Sequence, residues 1–176
     1  MIRAKRVASK GWTNPVALCG VVLLSLVACV RSAPKVLSLS DGTRIYYKYD
    51  STITASATFA VPREVLIDGE AFVEVRSTPF VIRTRLMHLT VSEKSDMRVI
   101  AHSNEPGEQV DVVTGMVTAT KAYPSEHNDP DTLTDGDAVM VNQVIDLQEK
   151  DASDVQQVEA WRMAITANAK PQVCDR

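Results

Sequence analysis

The sequence predicts an all-β domain, a short β-solenoid or a β-sandwich of many short strands, with an N-terminal signal or anchor helix and one C-terminal amphipathic helix. Apolar residues alternate on both sides of Asp68 and Gly69 within residues 63–84, which is typical of half-buried strands. Asp-Gly pairs recur at residues 41–42 and 135–136. Glycine accommodates the backbone of tight turns, so each pair is expected to join two strands. Many short strands separated by turn signals indicate an all-β domain.

The strand-like segments follow one another along most of the chain. They lie at residues 36–40, 44–49, 51–59, 63–84, 87–91, 97–102, 110–120 and 133–147. In the last segment Val139, Val141 and Ile145 follow the alternation of a strand. Phe72 falls out of phase with the alternation around it, so its strand is expected to be apolar on both faces or bulged.

One helix is predicted near the C-terminus. Ser153 and Gln156 have the spacing of a capping box, which marks a helix start. Val158, Trp161 and Ile165 then recur on one helical face. We expect this face to lie against the β domain and to bury Trp161.

The chain is long enough for one domain of ordinary size, with 176 residues of which 45% are hydrophobic and 23% charged. Residues 1–28 hold four basic residues and no acidic ones. The remainder therefore has 15 basic and 22 acidic residues, a net charge of −7. Because phosphate binding needs clustered Lys and Arg, this acidic body excludes nucleic acid as a partner.

The amino terminus has the order of an export signal. Basic residues precede an apolar run at residues 15–28, about 14 residues long, which suits a signal peptide and is short for a membrane-spanning helix. The sequence Leu-Val-Ala-Cys at residues 26–29 resembles a bacterial lipobox, so Cys29 is the predicted lipidation site. A short single-pass inner-membrane anchor and an unlipidated secreted form are the alternatives. All three place residues 30–176 outside the cytoplasm, and a lipid anchor on the periplasmic side of the envelope, in the outer membrane, is favoured.

The domain organisation follows from these features. Residues 1–28 form the signal peptide or anchor, 29–36 a linker, 37–150 the β domain, 151–168 the C-terminal helix and 169–176 a tail. Once Cys29 carries lipid, Cys174 is the one cysteine left in the mature chain, so no intramolecular disulfide is expected.

The titratable residues show no pattern typical of catalysis. His88, His102 and His127 are scattered, without the spacing that places two ligands on one helical face. Glu70 and Glu74 share one face of a strand, where such residues ordinarily keep an outward surface soluble. A non-enzymatic protein without a cofactor is therefore predicted.

The loop at residues 127–137 is the one candidate metal site. Asp129, Asp131, Asp135 and Asp137 could supply oxygen ligands to calcium. The order departs from an EF-hand, since the glycine comes too late and no closing Glu follows. Asp and Pro also favour loops for local backbone reasons, so an ordinary loop is the favoured interpretation.

Six segments resemble, in order, the periplasmic region of FecR-type sigma-factor regulators, in the form common in Bacteroidetes. They are residues 37–43 (LSLSDGT), 63–75 (REVLIDGEAFVEV), 79–84 (PFVIRT), 112–119 (VVTGMVTA, with Thr114 where the family has Glu), 133–137 (LTDGD) and Trp161. The segment at 63–75 is the most specific of them. The resemblance covers roughly residues 36–161.

The resemblance implies a place in cell-surface signalling. Family members hold an extracytoplasmic-function sigma factor through a cytoplasmic domain and receive a signal from a TonB-dependent receptor through a small periplasmic domain. About 14 residues precede the apolar run here and few follow Trp161, so neither of those two domains is expected.

The function expected from the sequence is that of an envelope lipoprotein with a FecR-like domain, which binds proteins and modulates signalling to such a sigma factor. Its expected partner is a TonB-dependent receptor or another signalling component, with membrane contact through lipid or a short anchor. The alternative is a structural or accessory lipoprotein subunit of an outer-membrane complex. The sequence does not indicate which residues bind the partner.

Overall fold

The computed structural model describes residues 33–55 and 63–171. The predicted signal or anchor of residues 1–28, the lipidation candidate Cys29, and Cys174 in the tail lie outside the described residues. The elements described are β1 (Lys35–Ser38), β2 (Arg44–Tyr47), β3 (Thr52–Ala55), β4 (Arg63–Val75), β5 (Phe80–Arg83), β6 (Met87–Val91), β7 (Ser95–Ala101), β8 (Gly107–Thr114), β9 (Val117–Lys121), β10 (Asp131–Leu133), β11 (Asp137–Asn142), β12 (Leu147–Ala152), α1 (Val155–Asn168) and β13 (Lys170–Pro171).

The strands form a nearly closed, barrel-like sheet. The hydrogen-bonded order of nine of its strands is β10-β9-β6-β5-β4-β7-β8-β11-β12. Strands β2 and β3 also pair with β4, β1 pairs with β2, and β13 pairs with β1. Neighbours are antiparallel except for the parallel pairs β4–β5 and β1–β13. The all-β class and the single C-terminal helix predicted from the sequence are confirmed within the described residues.

The long strand β4 joins two parts of this sheet. Its first half pairs with β3 and β5, whereas its second half pairs with β2 and β7. The predicted turn at Asp68 and Gly69 is therefore wrong, because both residues lie inside one continuous strand. Gly69 has φ of +119°, and a Cβ there would lie 2.7 Å from the Cα of Ser51. Glycine thus allows the close approach of Ser51 where β4 changes partners.

The other two Asp-Gly pairs lie in turns, as predicted. Gly42 has φ of +87° and its N–H donates to the carbonyl of Leu39 at 3.1 Å. Gly136 has φ of +81°, and the N–H of Asp137 donates to the carbonyl of Thr134 at 2.9 Å. Left-handed backbone of this kind favours glycine.

The core is filled by alternating side chains of the strands. In β4 the fully buried inward residues are Val65, Ile67, Ala71, Val73 and Val75, and they pack with equivalents from the other strands. Burying one such valine or isoleucine side chain contributes about 1.5–3 kcal/mol. The out-of-phase Phe72 is also fully buried, but outside this cluster and on the same face as the buried Glu70 and Glu74, so the second half of β4 is buried on both faces.

Helix α1 lies over the outer side of the sheet. Its N-cap is Asp154, not the predicted Ser153, because the side chain of Asp154 accepts a hydrogen bond from the N–H of Gln157 at 3.0 Å. Val158 and Ile165 are its buried residues, on the face predicted to contact the β domain. As the one helix within the described residues, α1 is neither long nor apolar enough to cross a membrane.

Candidate functional site

Two of the calcium candidates are bound to one glutamine. The Gln148 Nε2 amide donates to the Asp131 carboxylate at 2.7 Å and to the Asp129 carbonyl at 3.1 Å. Gln148 belongs to β12 and Asp131 to β10, the two ends of the nine-strand order. Side-chain bonds therefore bridge the gap that keeps the sheet from closing.

The other two candidates hold backbone turns. Asp135 Oδ1 accepts the N–H of Gly115 at 2.6 Å. Asp137 Oδ2 accepts the N–H of Thr134 at 2.7 Å and lies 2.8 Å from Lys150 Nζ, whose hydrogen bond lowers the pKa of Asp137. Among the described residues, no group of three or more His, Cys, Asp or Glu side chains is placed to hold a metal ion.

The histidines of the sequence analysis lie apart in the chain and in different elements. His88 is in β6, His102 follows β7, and His127 lies in the loop before β10. The Nε2 atom of His88 is 2.9 Å from Arg83 NH1. Burial, followed by the neighbouring arginine charge, lowers the pKa of His88.

Glu70 and Glu74 share one face of β4, as their spacing predicted. They do not keep that face soluble, however, because they are only 4% and 6% exposed. Arg98 Nε donates to Glu70 Oε1 at 2.9 Å, and Lys48 forms a second ion pair with Glu70. The two carboxylates therefore serve as buried partners for cations.

These cations fasten α1 to the sheet. Trp161 is half-buried, not fully buried as predicted, and its ring lies 4.9 Å from the guanidinium of Arg98. Arg162 of α1 makes the same two kinds of contact, a cation–π contact and an ion pair. Its guanidinium lies 5.0 Å from the ring of Phe72 and 3.1 Å from Glu74 Oε1. Cation–π contacts and ion pairs thus add to the two buried apolar residues of the helix.

A group of loops that the sequence did not single out comes together at one end of the strands. We define the loop rim as residues 84–86, 102–106, 122–130 and 143–146. The guanidinium of Arg85 donates to Gln143 Oε1 at 2.9 Å, and the N–H of Gln143 donates to the carbonyl of Pro106 at 3.0 Å. The N–H of Ala122 donates to the carbonyl of Leu86 at 2.8 Å. Hydrogen bonds therefore connect all four loops.

Two adjacent apolar residues project from the loop rim. Val144 is 79% exposed and Ile145 is 68% exposed, and we call this pair the apolar tip. The predicted strand over residues 133–147 is wrong at Ile145, because β11 ends at Asn142. Asn142 Oδ1 accepts the N–H groups of Val144 at 2.9 Å and of Ile145 at 3.4 Å, and so fixes the turn.

A buried lysine anchors the other side of this turn. The Lys121 side chain is 1% exposed, and its ammonium donates to Asp146 Oδ1 at 2.8 Å and to Ser125 Oγ at 3.0 Å. The bond from Lys121, followed by the bond from Ser125, lowers the pKa of Asp146. A cavity of about 280 Å³ adjoins these groups, lined by Lys121, His127, Asp129, Asp131, Asp146, Leu147 and Gln148.

Only weak signals in the sequence could have revealed the loop rim. Val144 and Ile145 carry β-branched side chains that favour strands, so the period-two pattern extends over them without interruption. The flanking Asn142 and Asp146 are turn-forming residues and are the signal that was available.

Comparison with known proteins identifies solved structures that are similar to this chain. Two crystal structures, at 1.65 and 2.50 Å resolution, each of a candidate anti-sigma factor from Parabacteroides distasonis ATCC 8503, are similar to this chain with a TM-score of 0.66 and 26% identity. The similarity covers 75% of this chain but 61% of each of theirs, so the chain spans less than two thirds of their length. No protein-family model and no curated protein matches the chain.

Proposed function

We propose that this protein is a non-enzymatic, FecR-like protein of the bacterial cell envelope that modulates signalling to an extracytoplasmic-function sigma factor by binding proteins. The observation that carries the proposal is the similarity to the candidate anti-sigma factors over three quarters of the chain. The order of the FecR-like segments at residues 37–43, 63–75 and 133–137 supports the same family. A TonB-dependent receptor or another envelope signalling protein is the proposed partner.

The use of charge in the fold supports binding rather than catalysis. Glu70 and Glu74 are buried carboxylates, and both are held by arginine side chains. A catalytic carboxylate needs access to substrate and a pKa suited to proton transfer. Carboxylates that are enclosed between a sheet and its covering helix have a structural role instead.

Lipid attachment at Cys29 is the proposed means of envelope localisation. The Leu-Val-Ala-Cys sequence at residues 26–29 follows the apolar run directly. Seven residues then separate the lipidated cysteine from the predicted β domain at residue 37, so the anchor would hold the domain close to the membrane surface. A single acyl chain binds membranes only marginally, so stable anchoring implies more than one chain or an added contact.

Deletion of the gene in its natural host tests the proposed function. We expect the transcripts of one extracytoplasmic-function sigma regulon to change and a wild-type copy to restore them. A Met163→Ser copy is the matched control, since Met163 is an exposed apolar residue of α1, outside the loop rim. A transcriptome that stays unchanged in inducing and non-inducing media would contradict a regulatory role.

Metabolic labelling tests the anchor separately. A palmitate analogue should label the wild-type protein and leave Cys29→Ser unlabelled. The serine variant leaves residues 33–171 unchanged, so its failure to restore regulation would show that the envelope position is required. Continued labelling of Cys29→Ser would refute lipidation at this residue.

A further inference from the structure

We propose that the apolar tip of Val144 and Ile145, with the acidic loop rim around it, is the surface that docks a protein partner, and that the partner offers an apolar socket bordered by arginine or lysine side chains. This inference rests on the proposed function for the expectation that a partner exists. The choice of surface, however, is argued from contacts, exposure and charge within the described residues.

The apolar tip is highly exposed. Val144 and Ile145 are the most exposed of the large apolar side chains described, and they are adjacent in the chain. A hairpin turn is ordinarily formed by Gly, Asn, Asp or Pro, because those residues suit its backbone and water. Two β-branched side chains that stay in water contribute no hydrophobic stabilisation to the free protein. They contribute it when a partner covers them and removes their apolar surface from water.

Hydrogen bonds already hold the apolar tip in one shape. Asn142 Oδ1 binds the N–H groups of both tip residues, and Asp146, with φ of +49°, is bound by Lys121 and Ser125. Arg85 and Pro106 fix the preceding Gln143. A surface that is ordered before binding loses little conformational entropy when it docks.

The charge of the loop rim indicates the chemistry of the partner. The loop rim contains four acidic residues, Glu105, Glu126, Asp129 and Asp146, and one basic residue, Arg85. All four acidic side chains are exposed. An apolar centre with a charged border is the usual anatomy of a protein interface, and this border favours a partner with basic side chains.

The cavity beside the tip supports the same partner chemistry. Gln148 Oε1 lines this region and is buried without a hydrogen-bond partner among the described residues. Asp129 and Asp131 add carboxylates to the same lining. An arginine or lysine of the partner that enters the cavity would supply the missing donor, because both side chains carry only donors.

Site-specific crosslinking in the natural host tests the surface. The full-length protein would carry the photo-crosslinker p-benzoylphenylalanine at position 144 or 145, with positions 66 and 163 as controls. Leu66 and Met163 are also exposed apolar residues but lie on β4 and α1. We expect one protein to be crosslinked from 144 and 145 and not from the two controls.

Affinity measurements with that partner, once purified, complete the test. Val144→Ser with Ile145→Ser should weaken binding by at least about tenfold, as for the loss of a central anchor, and Met163→Ser should leave it unchanged. Asp129→Lys should slow association and reduce its dependence on salt. Equal crosslinking from all four positions, a crosslink to a second copy of this chain, or unchanged binding of the serine variant would overturn the inference.

A membrane is the other surface that could cover an apolar tip. Flotation of the full-length protein with phosphatidylethanolamine and phosphatidylglycerol vesicles, in the Cys29→Ser background, tests this. Vesicle binding that is lost with the two serines would overturn the protein-docking inference.

The two proposals fail in different ways. If the serine variant restores sigma-dependent transcription as well as wild type, the docking surface is wrong and the proposed function stands. If deletion leaves transcription unchanged while the tip still binds its partner, the proposed function is wrong and the docking surface stands.

Discussion

The guanidinium of Arg98 lies between the ring of Trp161, 4.9 Å away, and the buried carboxylate of Glu70, which accepts from Arg98 Nε at 2.9 Å. Arg98 is in β7, Glu70 in β4 and Trp161 in α1, so one side chain joins three elements. The arrangement explains how a helix with only two buried apolar residues stays on the sheet.

Removing this arginine should destabilise the protein strongly. Arg98→Met keeps the length of the side chain but leaves Glu70 buried with Lys48 as its remaining cation. We expect the free energy of unfolding to fall by about 2–4 kcal/mol, because a buried carboxylate loses a partner and Trp161 loses its cation. Urea denaturation followed by tryptophan fluorescence and by circular dichroism measures the change.

The matched control is an arginine with an exposed partner. Arg83 and Glu64 form an ion pair in which the side chains are 41% and 43% exposed. Arg83→Met should therefore cost less than about 1 kcal/mol. Equal losses in the two variants would contradict the importance of burial for the Arg98 contact.

The sequence predicted the class of the fold better than its connections. The alternation around Val65 and Val73 indicated strands because one face of each strand is buried. The Asp-Gly pair at 68–69 predicts a turn, since local propensity favours one there. Instead, β4 continues through the pair because it is hydrogen-bonded to distant strands and because Ser51 packs against Gly69. Neither contact can be read from neighbouring residues in the sequence.

The continuity of β4 gives a second prediction. Gly69→Ala introduces a Cβ that would lie 2.5 Å from the Cβ and 2.7 Å from the Cα of Ser51, at a φ of +119°. We expect a loss of about 2–4 kcal/mol from backbone strain together with overpacking. Thermal and urea unfolding measure it.

Gly42→Ala separates the two contributions. Gly42 also has positive φ, +87°, but a Cβ there would meet nothing closer than Arg76 at 3.8 Å. Strain alone should cost about 1 kcal/mol. If Gly42→Ala proves as harmful as Gly69→Ala, the close approach of Ser51 does not matter.

The charged site under α1 was partly predictable. The even spacing of Glu70 and Glu74 placed both on one strand face, as found. Their burial was not predictable, because it depends on where a helix 80 or more residues later packs. The pairing of Trp161 with Arg98 joins residues that nothing in the local sequence connects, so the helical pattern predicts only that the ring is buried against the β domain.

Glu108 gives a prediction about pH. This carboxyl is 2% exposed, and its Oε2 accepts the N–H of Leu86 at 3.1 Å and a hydrogen bond from the Thr84 hydroxyl. Burial raises the pKa of Glu108 above its ordinary value of 4.5. The folded state therefore retains a proton that the unfolded state releases. The stability that the protonated Glu108 contributes is lost as pH rises from 4.5 through the folded pKa.

Glu108→Gln should remove that dependence. The amide oxygen can still accept from Leu86 and Thr84, while the group no longer titrates. Relative to wild type, we expect the variant to gain stability as pH rises above 4.5 and to lose this advantage at lower pH. Urea midpoints of both proteins at several pH values between acid and neutral measure the difference. A difference that does not vary with pH would show that Glu108 keeps an ordinary pKa.

The ion pair of Lys121 and Asp146 gives the last prediction, which concerns its two unequal partners. Lys121 is 1% exposed, whereas the Asp146 side chain is 43% exposed. Asp146→Asn should lower the unfolding midpoint more than Lys121→Met, because it leaves a buried ammonium without its carboxylate, while the methionine leaves an aspartate that water can reach. Asparagine tolerates the φ of +49° at this position, so the variant tests charge and not backbone. Asp129→Asn, an exposed aspartate of the same rim, should leave the midpoint unchanged, and a larger loss for Lys121→Met than for Asp146→Asn would contradict this account.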